Sequence, residues 1–196
     1  MMRTAVLTLL AALTLIVAPA TNAALITFEV DLNGANENPD VASPGTGTAE
    51  VEIDTVLKTM TLDVIFSGLL GTTTASHIHC CTPPTGNAGV ATQVPTFIGF
   101  PLGVTSGTYS NVFDMSLLSS YNPDFVTMHG GTADSAFAFL LAGMLAGESY
   151  LNIHSSMFGG GEIRGTLIRV PEPGTLVLLG LAFAGLAITL RRKKTH

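Results

Sequence analysis

Positive charge is what this sequence lacks. Its 196 residues include only eight lysines and arginines, and four of these, Arg191, Arg192, Lys193 and Lys194, stand together near the end. Residues 24–170 hold Lys58, Arg164 and Arg169 against thirteen acidic residues, a net charge near −10. Such a surface repels nucleic acid and anionic membrane, and the basic, aromatic-laced face of a nucleic-acid binder is absent. The acidity could attract calcium or cationic polymers, or only keep the domain in solution. Cysteine is nearly missing too: Cys80 and Cys81 are the only two. There is no internal repeat, no heptad pattern and no glycine-rich phosphate loop between a strand and a helix. No nucleophile–base pair stands out. Ser76 adjoins His77, but neighbours on a strand point to opposite faces. Glu50 and Glu52 share a polar strand face and read as solvated.

Charge is also absent from two long stretches. Residues 1–23 place Arg3 before an apolar run, Ala5 to Val17, followed by small residues up to Ala23. That order predicts a secretory signal peptide cut by signal peptidase. Residues 175–190 carry no charge and precede the terminal basic cluster. They predict a short transmembrane helix with its basic end in the cytoplasm and the body outside.

Val170-Pro171-Glu172-Pro173-Gly174, the apolar run and Arg191-Arg192-Lys193-Lys194 together resemble a PEP-CTERM sorting signal. The resemblance implies a Gram-negative envelope and an exosortase that recognises Pro171, Glu172 and Pro173 and removes the tail. Membrane attachment through the C-terminal helix would then precede processing. It also implies a setting of extracellular polysaccharide and biofilm matrix. The prolines cannot continue a helix or central strand, so the segment should be extended and accessible.

Between the two ends, alternation dominates. Ile26, Phe28, Val30 and Leu32 alternate with Thr27, Glu29 and Asp31; Ala49, Val51 and Ile53 with Glu50, Glu52 and Asp54; Met60, Leu62, Val64 and Phe66 with Thr61, Asp63 and Ile65. Period two with polar partners predicts half-buried antiparallel strands. Residues 80–108 are rich in proline and glycine and read as a long irregular excursion. A short strand is expected near Tyr109–Phe113 and a brief helix over 134–145 with Asp134 as N-cap. Two closing strands are expected at 149–154 and 162–170. The expected fold is all-β: an antiparallel β-sandwich with a short helix, over residues 24–169, between the signal peptide and a sorting segment at 170–196.

Four pieces of this body, Leu32 to Pro39, Gly45 to Ala49, Ala75 to His79, and Tyr150 to Ser155 with Gly161 to Gly165, resemble the CHRD domain in order and wording. The resemblance implies a β-sandwich module in an exported protein and defines no activity. One departure is Cys80-Cys81-Thr82-Pro83-Pro84, where the family commonly has a Gly-Pro-rich run.

His77 and His79 share a strand face, as do Tyr150, Asn152 and His154. If the two strands meet, three imidazoles converge, a set that suits zinc or copper. Glu162 could add an oxygen ligand or accept an imidazole N–H. Equally, the histidines with Asn152 and Arg164 could form a metal-free buried polar cluster. The chain has too few ligands for the two-metal site of copper–zinc superoxide dismutase, which it distantly resembles in its His-x-His strand. Cys80 and Cys81 are disulfide candidates in an exported chain, with free thiols, intermolecular pairing or thiolate ligation as alternatives. His129 reads as a solvated loop residue. Two functions therefore stand: a non-catalytic binding or structural module of the cell envelope or matrix, and a copper- or zinc-binding protein or metalloenzyme.

Overall fold

The computed structural model describes residues 25–171, together with Phe183. The expected signal peptide and transmembrane span, and Glu172, Pro173, Arg191 and Arg192 of the sorting segment, lie outside the described residues. Among the described residues, no helix is long and apolar enough to cross a membrane.

Eight strands form the body: β1 (Leu25–Asn33), β2 (Thr46–Asp54), β3 (Thr59–Ser67), β4 (Thr73–Cys80), β5 (Gly107–Asp114), β6 (Ser149–Ser155), β7 (Ile163–Thr166) and β8 (Ile168–Arg169). Two helices, α1 (Pro123–Met128) and α2 (Ala133–Leu145), lie between β5 and β6. The strands join in one antiparallel, curled sheet of order β4-β6-β7-β1-β2-β3-β5, with β8 pairing beside β7 on β1. The fold is thus mostly β, as the alternation predicts, and the layers of the sandwich belong to one hydrogen-bonded sheet.

The alternating residues explain β1 to β3 directly. Phe28, Val30 and Leu32, with Val51, Ile53, Met60, Leu62, Val64 and Phe66, are buried in one core. Their partners Glu29, Glu50 and Asp63 sit opposite one another across the outer face. The expected last strand is instead two short ones, β7 and β8, split at Leu167, whose N–H turns to the Ser149 carbonyl. The helix over 134–145 is present, but its N-cap is Thr132, not Asp134. Thr132 and Ser135 form a reciprocal capping box, while Asp134 reaches Lys58 at 2.8 Å.

Residues 81–106 are more ordered than their composition suggests. They lie along the outer edge of β4: Phe97 N–H donates to the Ser76 carbonyl, Ala91 N–H to the Ile78 carbonyl, and Cys80 N–H to the Gly89 carbonyl. Thr92 and Thr96 hydroxyls accept the Ile78 and Ser76 N–H groups. On its other side the segment touches β5, where the Phe97 ring packs on Phe113 at 5.2 Å and Phe100 on Tyr109 at 5.2 Å. The excursion therefore bridges the two ends of the curled sheet. Along β4 it supplies hydrogen bonds that no strand supplies there.

Candidate metal centre

The register of β4 on β6 builds the site. His77 pairs with Asn152, His79 with Tyr150, and Ala75 with His154. Strand alternation turns His77, His79, Asn152 and His154 to one face, while Ile78, Leu151 and Ile153 enter the core on the other. Ser76 does point away, its hydroxyl donating to the Asn152 carbonyl.

All three imidazoles are buried and converge. Their ring centroids lie 5.8 Å (His77–His79), 5.2 Å (His77–His154) and 5.7 Å (His79–His154) apart. One nitrogen of each faces a backbone carbonyl: His77 Nε2 to Pro95 O at 2.7 Å, His79 Nδ1 to Ala88 O at 2.9 Å, and His154 Nδ1 to Gly159 O at 3.0 Å. A carbonyl only accepts, so the hydrogen-bond network assigns an N–H to each of those three nitrogens. The neutral rings then turn three bare lone pairs toward one another: His77 Nδ1, His79 Nε2 and His154 Nε2. One ligand nitrogen from each ring lies within 4.8 Å of the others. His77 Nδ1 and His154 Nε2 are only 3.3 Å apart, and His79 Nε2 has no partner.

Protons are a poor solution to this crowding. Burial lowers the pKa of His77 to about 4, against the opposing pull of the Pro95 carbonyl and helped by His154. Burial likewise takes His79 to about 4, opposed by Ala88 and assisted by the other two rings and Arg164. His154 is lowered by burial, with the Gly159 carbonyl resisting. Three neutral rings with inward lone pairs are the donor set of a transition-metal ion. The three carbonyls are the outer partners that orient such ligands.

Two further residues hold His79. Its ring stacks on Tyr150 at 4.8 Å and 5°, and the Arg164 guanidinium covers the Tyr150 ring at 4.6 Å. Arg164 is buried and donates to the carbonyls of Asn36, Gly86 and Pro84 and to Asn87 Oδ1. It ties two loops to the sheet and packs over the Tyr150 ring on which His79 stacks. Asn152 lies beside the cluster, with Oδ1 unpartnered.

Glu162 takes a different place from the one expected. Its buried carboxylate accepts from Ser43 Oγ (2.6 Å), Leu70 N (2.6 Å) and Gly71 N (3.1 Å), so it organises two loops and faces no imidazole in that network. The carboxyl near the cluster is Glu37, which the sequence reading did not single out. Burial raises its pKa to about 7, although Arg164 and Asn152 pull it down; its Oε2 is 4.0 Å from Arg164 Nε. The available signal was its position in Asn33-Gly34-Ala35-Asn36-Glu37, a turn whose strand register with β7 brings it beside Arg164. Cys80 and Cys81 are joined as a disulfide behind the strand face that carries the histidines, against Gly143 of α2. His129 lies half-buried in the turn after α1. It caps α1 and stacks on Phe139 at 3.6 Å.

The CHRD domain model matches residues 28–167, from within β1 through β7 and including both helices. The chain belongs to the CHRD domain family. A PEP-CTERM protein-sorting motif follows at residues 169–193, and this CHRD protein is accordingly exported and processed by an exosortase. No curated protein and no solved structure matches the chain.

Proposed function

We propose that this CHRD protein carries one zinc or copper ion on His77, His79 and His154 at the surface of a Gram-negative cell, as a non-catalytic module of the envelope or its polysaccharide matrix. One observation carries the metal reading: three buried imidazoles, each with its other nitrogen committed to a carbonyl, aim bare lone pairs at one point. A metal-free polar cluster would instead offer donors to these inward acceptor nitrogens. Two nitrogens ~2.0–2.1 Å from one tetrahedral ion lie roughly 3.3 Å apart, the spacing of His77 Nδ1 and His154 Nε2. Binding would draw His79 inward to complete the set. The location rests on the sorting motif, and the matrix role is the setting which that motif implies.

The test is elemental analysis and calorimetric titration of the purified chain after reconstitution. One zinc or copper per chain is expected. The variant His154→Ala should lose more affinity than the ~10–100-fold that removal of an outer partner costs. A wild-type chain that takes up neither metal would refute the reading.

A further inference from the structure

The three imidazoles are accompanied by a cleft that they do not fill. It has a volume of about 360 Å³ and is lined by Glu37, His79, Asn152, Phe158, Gly160 and Gly161, among others. Three polar atoms buried at this cleft lack any hydrogen-bond partner: Glu37 Oε1, His79 Nε2 and Asn152 Oδ1. Their residues are only 7%, 8% and 2% exposed, so bulk water does not satisfy them, and orphaned buried polar atoms are rare enough to need a cause. Gly161 keeps the space open. A Cβ there would stand 2.6 Å from Glu37 Oε1 and against both amide atoms of Asn152. Glu37 Oε1 and the Asn152 amide thus border the same small volume.

The three orphans have one chemistry. With Glu37 ionised, above its pKa of about 7, all accept and none donates. An imidazole lone pair is satisfied by a cation, and two oxygen acceptors are satisfied by a molecule with two hydrogens. A water molecule bound to a metal ion is both at once: its oxygen faces the ion and its hydrogens face outward. No other His, Cys, Asp or Glu among the described residues joins the three histidines, so none of those side chains supplies a fourth ligand there. Three protein ligands with an open position is the arrangement of exchangeable metal centres, whereas purely structural zinc sites are closed by four.

Resting on the metal reading above, we infer that the centre is open toward this cleft, and that Glu37 and Asn152 hold a water molecule as the fourth ligand by accepting its hydrogens. Small neutral molecules bearing O–H or N–H groups can replace that water. Small anions without hydrogens are disfavoured, because they would face the Glu37 carboxylate in a poorly solvated space.

The experiment uses the full chain loaded with copper(II), in mildly alkaline buffer where Glu37 is ionised. Electron paramagnetic resonance in oxygen-17 water should show broadening from one directly bound solvent oxygen. Azide, titrated as the probe anion, should bind about tenfold or more tightly to Glu37→Gln than to wild type, since the facing negative charge is gone. Asn152→Asp adds a carboxylate at the same cleft and should weaken azide by a similar factor, so either variant suffices if the other fails to fold. Copper held at one per chain with no solvent coupling, or with azide affinity unchanged in the variants, would overturn the inference and leave the metal reading standing. Failure to hold copper or zinc at all would remove both.

Discussion

At the scale of single residues, the outcome at each polar group turns on what its second atom meets. His77, His79 and His154 are useful because carbonyls hold their outer nitrogens, and this could not be read from the His-x-His spacing. The sequence showed which rings share a face. It could not show Pro95, Ala88 and Gly159, which arrive from loops with no periodic pattern. Glu162 illustrates the same gap, since its partners Ser43, Leu70 and Gly71 lie 119, 92 and 91 positions away. Burial acts to raise the pKa of Glu162, but donation from Ser155, Ser43, Leu70 and Gly71 outweighs it and holds the carboxyl below its usual 4.5. A depressed folded pKa stabilises the fold above the unfolded value and loses that stability as pH falls through the folded one. Glu162 should therefore contribute fully at neutral pH and progressively less below about 4.5. Glu162→Gln should cost ~1–3 kcal/mol at pH near 7, because its amide N–H₂ would oppose buried donors. In urea titrations the cost should shrink in acid; a pH-independent difference would contradict this account.

At the scale of elements, the strands that alternate were legible and the pieces that depend on caps were less so. β1, β2 and β3 bury every second residue, which is why their phase could be read directly. Helix α1 went unseen, although Asn122 caps it and Pro123 opens it, because six residues are too few to show a helical period. In α2, Thr132→Ala would remove the capping box and should destabilise by ~1 kcal/mol in chemical denaturation. On the outer face, Glu29, Glu50 and Asp63 are directly opposed across three strands, and like charges so placed repel. Glu50→Lys should therefore raise stability by ~0.2–1 kcal/mol at low salt, with the gain fading as salt is added. Unchanged stability at every salt concentration would show that the three carboxylates do not feel one another.

At the scale of the whole molecule, the segment 81–106 decides both the closure of the sheet and the presence of the site. It brings Ala88 and Pro95 to the histidines and Phe97 to the core, where its ring is fully buried. Phe97→Ala should cost ~3–5 kcal/mol and should weaken metal uptake with it, a coupling that titration of folded variant can check. Composition made this segment look like a loose loop because its order is all long-range: hydroxyls of Thr92 and Thr96 and scattered backbone groups meet β4 one at a time. That arrangement has a consequence for a protein sorted to a crowded cell surface. An uncovered strand margin is a template on which other chains add and fibrils grow. Here the margin of β4 is already occupied by the chain's own prolyl and threonyl segment, so neighbouring copies find no unpaired backbone to recruit beside the histidines.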